Sequence, residues 1–169
     1  YHWKSMEWEE RLNDYLALAE RVSGVCPFDA VTEEGLKDLD QYSLLILPHA
    51  AYLEPDEAET IRAYVGRGGR LLSLGENAVR DQYGDRRNDS LLADLFGVSC
   101  AETARDPDRR EYRNVCGRGS VVHLPFYRPS DPLEEWLDGL PCRISAKRGR
   151  LNSFLYRKEG TRVLHLAGD

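Results

Sequence analysis

Glu76 and His49 are the residues best placed to do chemistry. Glu76 sits in Gly75-Glu76-Asn77, directly after the apolar run "RLLSLG", and His49 directly follows the apolar run "SLLILP". If those runs are neighbouring strands, a carboxylate and an imidazole meet at the carboxyl ends of a sheet, where ligand sites of open α/β folds gather. Such a pair would act as acid and base, and two titratable groups at adjacent strand ends make a site hypothesis. A plainer reading has Glu76 capping the turn after it and His49 bonding a loop carbonyl, since position in a fold does not by itself imply function. Tyr52 and Asn77 lie in the same two loops and are candidates for ligand or interface contact. His123 and His165 alternate with apolar neighbours in strand-like runs and read as structural.

Other chemistries find less support. Glycoside hydrolysis needs two carboxylates roughly 5 to 10 Å apart across a cleft. Glu54, Asp56, Glu57 and Glu59 are close together, but on the first turn of a helix, where they satisfy its dipole in water. Cys26, Cys100, Cys116 and Cys142 form no C-x-x-C pair, so no zinc, redox or haem centre is expected, and no other metal or cofactor. Cys100 and Cys116 flank the polar segment "AETARDPDRREYRNV". They would either bridge it as a disulfide or remain free, as thiols of non-secreted chains usually do.

Size and charge narrow the partners. At 169 residues with 41% apolar content, the chain suits a single core. With 23 Lys and Arg against 29 Asp and Glu, a net charge of −6 repels nucleic acid and anionic membranes. No window approaches the roughly 20 apolar residues of a membrane span, and "YHWKSMEWEER" lacks the apolar core of a signal peptide. A soluble, cytoplasmic protein is expected. The start at Tyr1 and the stop at "LHLAGD" after a strand-like run predict a piece of a longer polypeptide.

The elements that would position these residues can be read from pattern. Trp8, Leu12, Tyr15, Ala19 and Val22 recur in steps of four and three, predicting an amphipathic helix over 5 to 23. "VCPFDAV" reads as a short edge strand and Glu33 to Leu39 as a short helix. "SLLILP" and "RLLSLG" are apolar without alternation, as in parallel strands covered on both faces. Between them Pro55 starts a helix that Gly66, Gly68 and Gly69 end, which makes a right-handed βαβ unit. "NDSLLADLFG" predicts another helix capped by Asn88 or Asp89, Ala101 to Arg113 a surface loop, and "GSVVHLPF" a strand. Asp131-Pro132-Leu133-Glu134 has the spacing of a capping box for a helix that Gly139 closes. "CRISAKR", "LNSFLYR" and "TRVLHLA" then read as an antiparallel meander. The fold expected is α/β, a parallel sheet flanked by helices over 1–141 with an antiparallel β appendage over 142–169.

Three stretches carry a resemblance: "LLILPHAAYLEPDEAETIRAYVGRGGRLL", "DQYGDRRNDSLLADLFGVS" and "GRGSVVHLP". Over about Ser5 to Pro125 the chain resembles the β-galactosidase trimerisation domain, a class I glutamine-amidotransferase-like domain of family 42 β-galactosidases and related glycosidase-like proteins. The resemblance implies a flavodoxin-like layout, a catalytic barrel in the parent chain, and a role in subunit association and in walling the barrel's active site. "TRVLHLAGD" resembles the start of the small β-domain that follows. The family's first strand precedes its first helix, and no such strand is present here.

Amidotransferase chemistry needs a Cys in a G-x-C-x-G elbow and a His to take its proton. The chain has Gly75-Glu76-Asn77 at that place, and no G-x-C-x-G or H-x-E anywhere. The implied function is therefore a non-catalytic accessory and oligomerisation domain. The alternatives are a stand-alone hydrolase or amidotransferase relative using Glu76 and His49, and a carbohydrate-binding module. Trp3, Trp8, Tyr15, Tyr52, Phe126 and Tyr127 offer aromatic surface for sugar or subunit contact. Phe126-Tyr127-Arg128, beside Pro129 and Pro132, suits an interface loop, because aromatic residues and Arg are enriched there. Self-association and carbohydrate at the strand-end loops are the expected partnerships.

Overall fold

The computed structural model describes residues 2–137, 151–158 and 161–168, with side chains over 12–133 and 135–137. The chain divides into two compact units, one of residues 31–128 and one of residues 1–30 with 129–169.

The 31–128 unit is built on a four-stranded sheet in the order β1-β2-β4-β3. Strand β1 (Leu44–Pro48) pairs in parallel with β2 (Arg70–Leu74), and β2 in parallel with β4 (Gly119–Leu124). The edge strand β3 (Tyr112–Cys116) pairs antiparallel with β4. Helix α2 (Pro55–Gly66) joins β1 to β2, as the Pro-started, Gly-stopped pattern predicts. Its N-terminus is held by a reciprocal capping box in which Glu54 N–H donates to Glu57 at 2.7 Å. Ala58, Ile61 and Val65 of α2 are buried in one cluster with Leu45, Leu47, Leu71 and Val121 of the sheet. Each large apolar side chain so buried contributes about 1.5 to 3 kcal/mol.

Glycine makes the tightest approach in this unit. A Cβ at Gly119 would run into the carbonyl oxygens of Val65 and Gly69, so β4 can start against the end of α2 only without a side chain there.

Four local expectations change. "VCPFDAV" forms no strand; Pro27 removes one ladder donor, and the segment pairs with no strand among the described residues. The helix expected from "NDSLLADLFG" is only α3 (Ala93–Phe96), ended by Gly97 at φ 68. Asp89 accepts instead from the N–H groups of Ser90 and Cys100, at 2.8 Å each. The polar stretch expected to be a loop contains α4 (Cys100–Arg105) and runs into β3. Ser99 and Glu102 form a capping box on α4, an S-x-x-E signal present in the sequence. The short helix expected at Glu33 is a 3-10 stretch, Glu33–Gln41.

In the other unit, α1 (His2–Ser23) is the expected long helix. Among its described side chains Leu18 and Val22 are buried, whereas Leu12, assigned to the core by spacing, is exposed. Arg21 donates to the carbonyls of Pro129 and Asp131 at 2.8 and 2.7 Å. Helix α5 (Glu134–Leu137) follows, with Leu133 and Leu137 buried. Strands β5 (Leu151–Lys158) and β6 (Thr161–Gly168) pair antiparallel, as the alternation predicts. Gly139, Cys142, the strand expected at "CRISAKR" and the side chains of Trp3 and Trp8 lie outside the described residues.

Candidate functional site at the strand ends

Because β1, β2 and β4 are parallel, the loops after His49, Gly75 and Leu124 open at one end of the sheet. The floor beneath them is a row of paired positions running across it: Leu47, Ser73, His123 and Tyr112. Ser73 Oγ lies 2.9 Å from His123 Nδ1, and the His123 ring stacks on Phe96 with centroids 4.1 Å apart. Burial lowers the His123 pKa to about 4, so the ring is neutral at pH 7. Ser73 and His123 are both buried, and the pair serves as a polar joint within the core.

Asn77 completes that joint. At 1% exposure, its Nδ2 is 2.8 Å from Ser73 Oγ and 3.1 Å from the Leu47 and Leu74 carbonyls, while its Oδ1 accepts from Ala50 N–H at 2.5 Å. One carboxamide thus ties the β1 loop to the β2 loop, and its hydrogen-bonding capacity is spent inside the fold.

His49 and Glu76, the proposed acid and base, come to the same strand-end corner. His49 N–H donates to Leu74 O at 2.8 Å, and its backbone is left-handed at φ 51. The imidazole lies over Gly75, where any Cβ would collide with the ring. Gly75, itself at φ 70, is therefore required twice, by its conformation and by the ring above it. Glu76 is exposed and forms an ion pair with Arg86 at 2.7 Å. The hydrogen bond to Glu76, then its charge, raise the Arg86 pKa. This carboxylate is paired with a guanidinium at the surface, not with the His49 imidazole beside it.

Arg86 belongs to a loop that sequence reasoning passed over. Arg80 bridges in backbone register to both Tyr52 and Arg86. Asp81 Oδ1 accepts from the N–H groups of Tyr83 at 3.0 Å and Asp85 at 2.9 Å, and Gly84 N–H donates to Asp81 O at 2.9 Å. Arg80 Nη1 adds a bond to Gly84 O at 2.8 Å. The signal was legible: an Asp three residues before a Gly is turn chemistry. Phe126 and Tyr127 are half-buried and Arg128 is exposed, with Tyr127 N–H bonded to Leu124 O at 3.2 Å.

Cys26, Cys100 and Cys116 are in no disulfide, and burial raises the pKa of Cys100 and of Cys116. Among the described residues, no group of three or more His, Cys, Asp and Glu is placed to hold a metal ion. No helix there is long and apolar enough to cross a membrane.

No family model and no curated protein matches the chain. Solved structures do. A catalytic mutant of Gan42B, a GH42 β-galactosidase from G. stearothermophilus, superposes with a TM-score of 0.65 at 14% identity, over 92% of this chain and 30% of that one. A cold-adapted β-galactosidase from Rahnella sp. R3 gives 0.61 at 13% identity, over 86% and 30%. A β-galactosidase from Bacillus circulans sp. alkalophilus gives 0.56 at 16%, over 75% and 27%. The chain thus spans less than a third of the length of the proteins it resembles, and its fold is that of one part of the family 42 β-galactosidases.

Proposed function

We propose that the chain is a non-catalytic accessory domain of a glycosidase-like protein, which helps copies associate and helps wall the active site of a catalytic body in the same polypeptide. The observation that carries this reading is the state of the strand-end corner. Where amidotransferases place their nucleophile, this chain has Gly75-Glu76-Asn77, with Glu76 ion-paired to Arg86 and Asn77 consumed within the fold. The likeness to a part of much larger β-galactosidases supports a role beside a catalytic body. Phe126, Tyr127 and Arg128, at the end of β4, are the proposed contact loop, since interface anchors are few and commonly aromatic or Arg.

Sedimentation velocity over a concentration series tests the association. Contacts below about 1,200 Å² are usually transient, so concentration-dependent dimers or trimers are expected, reduced in a Phe126→Ala/Tyr127→Ala double variant. A strict monomer, or association that the variant leaves unchanged, overturns the interface assignment. The rival reading is an acid–base pair of Glu76 and His49, which share one corner. Hydrolysis of glutamine or of an aryl galactoside by the pure chain, abolished by Glu76→Gln, would establish that rival.

A further inference from the structure

Strand β3 is an edge of the four-stranded sheet, and among the described residues no strand pairs with its outer side. It runs antiparallel to β4, with Asn114 opposite Val121 and Val115 opposite Ser120. In such a ladder alternate residues aim N–H and C=O away from the neighbour, and a bare row of these groups is a template for another strand. Val115 is 75% exposed and the Arg113 side chain 66%, so this end of the strand is open to solvent. The Arg113 charge is a weak deterrent to pairing, because Glu111 is its partner.

The Val115 N–H is nevertheless covered. It donates at 2.9 Å to Oδ1 of Asn114, the residue before it on the same strand. The donor is thus spent on a side chain and not on β4. The carboxamide is held from its other end, where Nδ2 donates to the carbonyls of Asp94 at 3.1 Å and Leu95 at 3.0 Å in α3. Only one orientation satisfies these contacts, since a flipped amide would set its oxygen against two carbonyls and its NH2 against an N–H. Gly97 leaves the space: a Cβ there would lie 3.2 Å from the Asn114 carboxamide. One side chain therefore closes the end of α3 and the edge of β3 together.

We infer that Asn114 is an edge guard. It occupies the Val115 N–H that a second copy of β3 would need, and so keeps copies of this chain from joining sheet to sheet. A second copy is the partner that fits, because a two-fold pairing of β3 with itself sets Val115 of one copy opposite Arg113 of the other, with no like charges facing. The inference is independent of the contact loop at Phe126, which lies at the other end of β4.

Hydrogen exchange and sedimentation velocity on the 169-residue chain test the guard. In the parent, the Val115 amide should exchange at least about tenfold more slowly than in an unfolded peptide. Asn114→Ala should release that amide and tighten self-association by about tenfold, the worth of a freed backbone hydrogen bond. Asn114→Ala/Val115→Lys should return to the parent's behaviour, since lysine on an edge strand blocks pairing, whereas adding Phe126→Ala/Tyr127→Ala should leave the new association in place. Asn114→Asp separates the edge from α3: it keeps the acceptor for the Val115 N–H and loses both donors to α3, so it should be less stable than the parent yet associate no more. A Val115 amide that exchanges at the unfolded-peptide rate in the parent overturns the proposal. So does an Asn114→Ala chain that associates no more than the parent, or equal association of the Ala and Asp variants, which would trace the effect to a loosened α3.

Discussion

Asn77 and His123 show how much of the strand-end region is spent on holding itself together. Asn77 links Ala50, Leu47 and Ser73, so Asn77→Ala would leave several buried groups unsatisfied and should cost about 2 kcal/mol or more in urea unfolding. Glu76→Gln removes only an exposed ion pair and should change stability by less than about 1 kcal/mol. His123 ties stability to pH. Its pKa is about 4 when folded against an ordinary 6.5, so the unfolded chain binds more protons between those values. The stabilisation is complete above about pH 6.5 and is lost as pH falls towards about 4, about 3 kcal/mol in all. Asp89 and Asp94 contribute at still lower pH. Burial pushes both carboxyls up, but hydrogen bonds from Cys100 and Ser90, and from Arg62, outweigh it and hold them below the usual range. Urea titrations between about pH 7.5 and pH 5 therefore read the histidine, and His123→Gln should flatten that slope. Nothing in the order of residues announced the Ser73–His123–Asn77 joint, because its members are separated in the chain and meet only when β2 lies beside β4.

The elements were most legible where local rules and burial agree. Pro55 and the glycines after Val65 delimit α2 correctly because a missing N–H is harmless in a first turn and positive φ is available at Gly68. The glycines of this region are not equivalent, however. Gly119→Ala should cost about 2 kcal/mol, since its Cβ meets backbone oxygens that cannot move aside, whereas Gly66→Ala meets nothing within 4 Å and should stabilise by about 0.5 kcal/mol. Thermal and urea unfolding of the two variants would separate close packing from helix propensity. Strand β3 escaped pattern reading because its residues, Tyr112 to Cys116, alternate weakly and lie on an edge, where one side is wet. Leu12 misled in the opposite direction: its spacing fits the helical stripe, but among the described side chains of α1 it is Leu18 and Val22 that are buried.

For the whole molecule, charge and assembly oppose each other. Copies with a net charge of −6 repel, and the repulsion is screened over about 10 Å at 0.1 M salt. If the chain associates through a loop as small as Phe126-Tyr127-Arg128, raising the salt from about 0.05 M to about 0.5 M should increase the associated fraction. Sedimentation equilibrium at the two salt concentrations would show it. A decrease with salt would mean that complementary charges, not aromatic anchors, hold the copies together.

By itself the sequence determined the class of fold, through two apolar runs joined by a Pro-to-Gly helix, and the absence of a G-x-C-x-G motif, with Gly75-Glu76-Asn77 after the second run. Both are local properties: periodicity and punctuation are written in consecutive residues. Only the tertiary structure decided what those residues do. Strand pairing set Ser73 against His123, the turn at Gly75 placed the His49 ring over its Cα, and loop closure paired Arg86 with Glu76. Those contacts bring together groups from different strands and loops, and no local pattern encodes which of them will meet.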